Sequence, residues 1–383
     1  MTSFEILEET FRTQGADAAL DRLVHTALDD RNYRELFSAR LLQARHRLGL
    51  PLVETESTTQ LTDEQRPVYE KAMQDAARET GGLFLADGDI ASAWPYFRAI
   101  GEPAPVAAAI EKIEEGEELE RIIEIAYHEG VNPRKGLELA LKQFGICRAI
   151  TWFGGNRDFE SRQQCLMLLV DTLYRELASS LKQTIAANEP AEPATGSVAE
   201  LIAGRDWLFE GNSYYVDSSH LISILRYSPE LEDPRYIRMC LEMAEYGDKL
   251  SEMFHFRGDF PFEDPYRDHA IYLRALLQEQ GEHVDAAIEH FHSKAAAPEY
   301  PGDTSAAEVL IGLLVRLDRH DAAIRASLEF LPEPQPSPTS CPSALQLCQL
   351  AGDYRQMREL ARSLNDRVSF VAGVVQCQKS TTP

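Results

Sequence analysis

The sequence predicts an all-α fold built from antiparallel helical hairpins. Apolar residues recur at spacings of three and four along nearly the whole chain, whereas the strict alternation that is typical of β-strands is scarce. The longest apolar helix face spans 165–185 and is formed by Leu166, Leu169, Val170, Leu173, Leu177, Leu181 and Ile185. Helix starts are marked at 132, 233 and 264, where Asn or Asp stands directly before a proline. Together these observations predict helices throughout the chain.

The predicted helices also end at recognisable residues. Glycine most readily adopts the left-handed backbone conformation at which helices stop. Five glycines stand at the ends of segments with helical periodicity, namely Gly15, Gly49, Gly130, Gly145 and Gly281. Two longer loops are expected at 49–65 and at the proline-rich stretch 332–343.

Four segments share one pattern, which is a helix, a tight turn at Gly or Asp, and a second helix. They span 83–103, 276–296, 314–334 and 347–366. The turn residues of the last three segments, Gly281, Asp318 and Gly352, lie 37 and 34 residues apart. Near-equal spacing of this kind is the sequence signature of a helical repeat.

The residues after these turns resemble the tetratricopeptide-repeat family. The resemblance is carried by Gly88, Asp89, Ala93 and Phe97, and more loosely by Gly352, Asp353 and Tyr354. It covers about a third of the chain, with one extra residue before the alanine of the Gly281 segment and Met357 at a position where a small residue is usual. The resemblance implies an α-solenoid, a right-handed stack of helical hairpins with a concave face that often binds peptides. It implies no catalytic residues.

A stretch rich in proline, acidic and small residues, NEPAEPATGS at 188–197, is the clearest interruption of the helical pattern. It divides the chain into an N-terminal helical half at 1–187 and a C-terminal helical half at 198–383. Within the C-terminal half, an aromatic-rich insert at 205–272 precedes the repeat-like segments at 273–366.

Composition narrows the function classes. The 383 residues include 38 Lys and Arg against 62 Asp and Glu, a formal charge of -24 that repels phosphate backbones, so we expect no nucleic-acid partner. No stretch approaches 18 apolar residues, so we expect no membrane partner. The N-terminus has no signal-peptide pattern and the six cysteines form no C-x-x-C pair, which predicts a cytoplasmic protein with reduced thiols. The common phosphate-binding, dinucleotide-binding and zinc-protease motifs are absent.

The insert at 205–272 is the first candidate for a functional region. It holds 13 aromatic residues among 68, whereas aromatic residues make up 9% of the chain. The candidate ligand-binding residues are Trp207, Tyr214, Tyr215, Arg205 and Arg257. The aromatic rings would anchor a peptide and the arginines would clamp an anionic group. Alternatively, the rings pack in the core and the arginines pair with Asp206, Asp259 or Glu263.

The same insert contains paired acidic and imidazole side chains. The candidate metal ligands are Asp217, His220, Asp268, His269 and, from a more distant helix end, His128. Asp217 and His220 are three residues apart and share a helix face, so they could bind one divalent cation such as Zn, Mn or Fe. Without a metal, His220 or His269 could act as a general base oriented by its carboxylate. The alternative is that the aspartates cap helices and His128 satisfies a helix end.

Two function hypotheses follow from these observations. The first is a helical-repeat scaffold that binds a protein or peptide partner. The second is a metal-dependent enzyme of the hydrolase or lyase type, centred on the His and carboxylate groups of the insert. The sequence indicates neither the partner nor the oligomeric state.

Overall fold

All regular structure in the described part of the chain is helical. The computed structural model describes residues 2–53, 61–116, 118–155, 161–190, 196–277, 281–331 and 340–380. No residue in these ranges lies in a β-strand, which confirms the all-α prediction. None of the helices in these ranges is long and apolar enough to cross a bilayer.

The chain divides into two compact units. Unit 1 comprises Met1–Ala149 with Asn156–Cys165, and unit 2 comprises Ile150–Gly155 with Leu166–Pro383. The division lies before the predicted connector at 188–197, within the helix that carries the chain from 162 to 188. Residues 191–195 of that connector are outside the described ranges, as are residues 54–60 of the loop predicted at 49–65 and residues 332–339 of the loop predicted at 332–343.

Unit 1 contains a succession of helices, most of which pack on a neighbour in the chain. Its helices are α1 (Ser3–Gln14), α2 (Ala16–Asp29), α3 (Tyr33–Arg47), α4 (Gln65–Ala86), α5 (Ile90–Ala99), α6 (Ala104–Ile110), α7 (Leu119–Ile123), a π-helical turn (Glu124–His128) and α8 (Pro133–Phe144). The unit boundary passes through α9 (Ile146–Gly155) and α10 (Arg162–Asn188).

Unit 2 continues the same pattern and adds contacts between helices that are not consecutive. Its further helices are α11 (Val198–Ile202), α12 (Ser218–Tyr227), α13 (Pro234–Asp248), α14 (Pro265–Leu277), α15 (Glu282–Ala296), α16 (Ser305–Arg316), α17 (His320–Phe330), α18 (Ala344–Ala351), α19 (Tyr354–Ser363) and α20 (Arg367–Ser380). Short 3-10 helices occur at Asp206–Asn212, Ser228–Glu230 and Glu252–Phe254. Helix α14 contacts both α12 and α16 in addition to its chain neighbours.

The predicted helix boundaries are confirmed by the backbone. The Asn132 and Asp233 side chains each accept a hydrogen bond from a backbone N–H of the helix that they precede. All five glycines predicted to end helices have positive φ. Local capping chemistry therefore accounts for the positions of these helix ends.

Each of the four predicted turns joins two helices. The turns lie between α4 and α5, α14 and α15, α16 and α17, and α18 and α19. Ala93, Ala287 and Ala323, which follow three of these turns, are fully buried. Phe97 and Phe291, each four residues after such an alanine, are buried as well. The helix–turn–helix character of these segments is thus confirmed.

A tight contact between α13 and α14 leads to a stability prediction. A methyl group on Gly247 of α13 would lie 2.2 Å from the ring of Tyr266 on α14, and that ring is fully buried. Gly247→Ala is therefore expected to lower the free energy of unfolding of unit 2 by about 1–3 kcal/mol, because the two helices must move apart. Urea denaturation measures the change.

Gly312 on α16 provides the matched control for this substitution. A methyl group there meets nothing within 4 Å. Because alanine has the higher helix propensity, Gly312→Ala is expected to raise the free energy of unfolding by up to about 1 kcal/mol. Equal stability of the two variants would contradict the close packing of α13 against α14.

Candidate functional site

A cavity of about 470 Å³ lies in unit 2 between α12, α14, α16 and the loop that precedes α14. Helix α12 contributes Ser223 and Tyr227, α14 contributes His269, and α16 contributes Glu308. The loop at 257–262 lines the cavity as well. A volume of this size is typical of pockets that hold a small molecule or the side chains of a partner.

Aromatic rings and prolines form the apolar part of the wall. Phe260, Phe262 and Tyr227 line the cavity together with Pro261. Phe262 stacks on the imidazole of His269, with ring centroids 4.1 Å apart and an interplanar angle of 19°. The stacked pair holds the loop against α14.

His269 is the buried polar residue of the wall. Its side chain is 3% exposed, and its Nδ1 lies 2.6 Å from the carbonyl oxygen of Pro265. Since that oxygen only accepts, Nδ1 carries the proton, and Nε2 presents a lone pair that has no hydrogen-bond partner. Burial lowers the pKa of His269 to about 4. The hydrogen bond to the Pro265 carbonyl and the charge of Asp268 raise the pKa, but by less. The imidazole is therefore neutral at pH 7.

Asp268 is the centre of an ion-pair cluster behind the wall. It is 3% exposed and accepts hydrogen bonds from Nε2 of His290 at 2.7 Å and Nζ of Lys294 at 3.0 Å. Burial alone would raise the pKa of Asp268, but the donors from His290 and Lys294 outweigh it and keep the pKa below its usual value. Lys294 also donates to the carbonyl oxygen of Pro261 at 2.6 Å. The cluster thus fixes the loop to α14 and α15.

The two arginines of the wall are paired with carboxylates. Arg226 forms an ion pair with Asp259. Arg257 contacts Glu263 at 2.9 Å and Glu299 at 3.2 Å. Arg257 therefore has Glu263 as a partner, which is one of the three alternatives that the sequence left open.

Glu308 occupies the α16 side of the cavity and accepts hydrogen bonds from neutral donors. Its Oε1 accepts from Oγ1 of Thr304 at 2.7 Å. Its Oε2 accepts from the backbone nitrogen and hydroxyl of Ser340, at 2.8 and 2.6 Å. Both carboxylate oxygens are thus already bonded within the chain.

The predicted metal ligands lie in or at the start of three helical elements, namely α12, α14 and the π-helical turn. Asp217 caps α12 and accepts from the backbone nitrogen and hydroxyl of Ser219, at 2.8 and 2.6 Å, and these hydrogen bonds lower its pKa. His220 lies half-buried on α12, and His128 lies in the π-helical turn of unit 1. Within the described ranges, no group of three or more His, Cys, Asp or Glu side chains is arranged to hold a metal ion.

The hydrogen bonds of His269 differ from those that the general-base hypothesis requires. A carboxylate was expected to orient the imidazole. Instead, Nδ1 of His269 bonds to the backbone oxygen of Pro265, and Asp268 bonds to His290 and Lys294. The two neighbours in the chain point to different partners, because adjacent residues of a helix lie about 100° apart around its axis.

Arg205, one of the predicted anion-binding arginines, has a carboxylate partner outside the predicted set. Its Nε and one terminal nitrogen contact Glu189 at 2.7 and 3.0 Å, and its other terminal nitrogen donates to the carbonyl oxygen of Leu201 at 3.0 Å. This bidentate pair joins the end of α10 to the segment after α11. None of these residues lines the cavity.

The predicted aromatic anchors differ in exposure. Tyr214 is 56% exposed, with its ring 5.1 Å from that of Phe254. Tyr215 donates its hydroxyl to the carbonyl oxygen of Leu208 at 2.8 Å, and Trp207 is half-buried. Tyr214 is thus the most accessible of the three.

Of the predicted site residues, the structure brings His269 and Arg257 together in the cavity wall. Tyr227, Phe260 and Phe262 belong to the aromatic insert, and only the aromatic enrichment of the insert signalled them. Nothing in the sequence pointed to Glu308 on a repeat helix. The chain matches no protein-family model, no curated protein and no solved structure.

Proposed function

We propose that this chain is a helical-repeat binding protein that takes up a side chain of a peptide or protein partner in the cavity of unit 2. The observation that supports this most directly is the cavity itself, with an aromatic wall, internally paired arginines and a volume of about 470 Å³. Pockets that anchor a partner combine an apolar interior with few polar groups in fixed positions.

Exposed apolar side chains support a macromolecular partner. Tyr214, Met253 and Phe256 are each more than half exposed and belong to the same aromatic insert as the cavity loop. Large apolar residues exposed together are typical of interaction surfaces. They would supply contact area around a side chain inserted into the cavity.

The charge of the chain supports a basic or neutral partner. A formal charge of -24 generates a negative potential that slows the approach of acidic peptides and accelerates that of basic ones. We therefore propose that the preferred peptides combine an apolar anchor with flanking lysine or arginine.

The proposed solenoid arrangement is supported by the succession of helix–turn–helix segments. Each helix of α14 to α20 packs on the next in the chain, and the four turns lie at the positions that the repeat pattern predicts. Stacked hairpins of this kind present an extended surface that suits a peptide.

The proposal is tested by selection from a displayed library of random 12-residue peptides, followed by fluorescence anisotropy with the selected sequences. Ser223→Trp places an indole in the cavity from α12 and is expected to weaken binding at least about 30-fold, the loss typical of a hot spot. Val309→Trp is expected to do the same from α16. Ser219→Trp, on an exposed site of α12 outside the cavity wall, is expected to change the affinity by less than about twofold.

Two results would contradict the proposal. One is a library from which no peptide is enriched. The other is full affinity in both Ser223→Trp and Val309→Trp, with circular dichroism showing that the variants are folded.

A further inference from the structure

We propose that the cavity selects an aromatic ring that carries an uncharged hydrogen-bond donor, and that Nε2 of His269 accepts this hydrogen bond. The ligand class is a phenol, presented as a tyrosine side chain of the partner. This inference rests on the proposed function, since it names the group that the binding cavity recognises.

The position of Nε2 is fixed by the remaining contacts of the imidazole. One face of the ring stacks on Phe262, and Nδ1 donates to the Pro265 carbonyl. Exchanging the two nitrogens by a ring flip would break the bond to Pro265. The acceptor at Nε2 is therefore preorganised, with no side-chain entropy left to lose when a donor binds.

The unpaired state of Nε2 favours a ligand donor. Buried polar atoms almost always have a hydrogen-bond partner, and one without a partner loses free energy relative to water. Nε2 is buried and unpartnered in a residue that lines a cavity. A ligand hydroxyl supplies the missing partner, whereas the same ligand without its hydroxyl leaves the acceptor unpaired.

The other groups of the wall favour an uncharged aromatic ligand. Arg226 and Arg257 already have carboxylate partners, and both oxygens of Glu308 already accept hydrogen bonds. The neutral imidazole offers no countercharge. Burial of an anionic group would thus cost solvation energy without a free cationic partner and would bring it close to the Glu308 carboxylate, while the rings of Phe260 and Tyr227 suit a neutral aromatic ligand.

Access to Nε2 requires a small rearrangement. The atom is closed to solvent in this structure. Side chains at binding surfaces commonly change rotamer when a partner arrives. We infer that side chains of the cavity wall move aside as the ring enters, which brings the ligand hydroxyl to hydrogen-bond distance of Nε2.

The test uses p-cresol and toluene, which are the side chains of tyrosine and phenylalanine cut at Cβ. The dissociation constants are measured by nuclear magnetic resonance titration of the full chain, with the ¹⁵N resonance of His269 Nε2 as a direct probe. For the wild type, p-cresol is expected to bind about tenfold more tightly than toluene and to shift the Nε2 resonance, while toluene leaves it in place.

Two substitutions separate the contribution of the Nε2 acceptor to binding from the contribution of the aromatic ring. His269→Phe keeps an aromatic ring against Phe262 and removes both nitrogens, so the ratio of the two affinities is expected to fall to about one. His269→Gln restores a polar acceptor at the depth of Nε2 and is expected to recover part of the ratio. Equal wild-type affinities for p-cresol and toluene, or an Nε2 resonance that p-cresol does not shift, would overturn the inference without any reference to the variants.

The peptide selection distinguishes this inference from the proposed function. Selected peptides enriched in tyrosine support both. Peptides that bind through the cavity with no tyrosine preference over phenylalanine overturn the inference and leave the proposed function standing. A tenfold preference for p-cresol without any selected peptide overturns peptide binding and leaves the recognition of a phenol by His269 standing.

Discussion

Replacing Asp268 with alanine is expected to lower the free energy of unfolding of unit 2 by about 3–5 kcal/mol, the cost of removing one member of a buried ion pair. The carboxylate is 3% exposed and receives donors from His290 and Lys294. Without it, the Lys294 ammonium stays largely enclosed beside the Pro261 carbonyl, and its remaining countercharge is the half-exposed carboxylate of Glu263, 3.7 Å away. Because Lys294 also holds the loop at 257–262, the cavity wall is expected to loosen in the same variant.

Urea denaturation measures this loss, and hydrogen exchange of the α14 amides assigns it to unit 2. Asp285→Ala is the matched control, because Asp285 is an exposed aspartate in the first turn of α15. The only expected cost there is a weaker interaction with the helix dipole, below about 1 kcal/mol. A loss below 1 kcal/mol for Asp268→Ala would show that the cluster contributes little to stability.

Lowering the pH from 7 to 5 is expected to reduce the free energy of unfolding of unit 2 by about 2 kcal/mol through His269 alone. Its pKa is about 4 in the folded chain and 6.5 when unfolded, because burial disfavours the imidazolium. A depressed pKa means that the unfolded chain binds the proton first. The neutral imidazole therefore makes its full contribution to the free energy of unfolding above pH 6.5, and this contribution is lost as the pH falls towards 4.

The non-titrating variant His269→Gln isolates this effect. Urea denaturation at pH 7 and pH 5, followed by the fluorescence of the three tryptophans, is expected to show a drop about 2 kcal/mol smaller in the variant than in the wild type. Asp268 does not confound the comparison, because its hydrogen bonds with His290 and Lys294 keep its pKa below the usual value of an aspartate, which already lies below this pH window. Identical drops in both proteins would mean that His269 is not buried as a neutral group.

The helices could be predicted from the sequence because their signals are local. Asn132 and Asp233 precede prolines at helix starts, and Gly88 and Gly352 stand in turns with positive φ. The unit boundary carried no such signal. It passes through α10, whose apolar face continues without a change of composition from Cys165 to Ile185.

The candidate site could be predicted only in part. Enrichment in aromatic residues marks the insert as unusual, and the sequence predicts His269 there as a metal ligand or a base rather than as a hydrogen-bond acceptor. His290 has the spacing of a surface or packing residue of a repeat hairpin, yet it contacts Asp268, 22 residues earlier in the chain. The choice of which helices pack together depends on tertiary contacts and not on local sequence patterns. The residues around Glu308 therefore show no sign that α16 packs near α12 and α14.

The contacts of α14 with α12 and α16 have a consequence for the order of assembly. Most helices pack on their chain neighbours, so their contacts close short loops at little entropic cost and can form early. The cavity depends instead on α12, α14 and α16, which are separated in the chain by α13 and α15. It is therefore expected to be complete only after α13 and α15 have packed on their neighbours. The same segments lose their mutual contacts together when unit 2 opens locally, and an occupant of the cavity shifts that opening equilibrium towards the closed state. Under the proposed function, binding of a partner in the cavity is therefore expected to slow the local opening of unit 2.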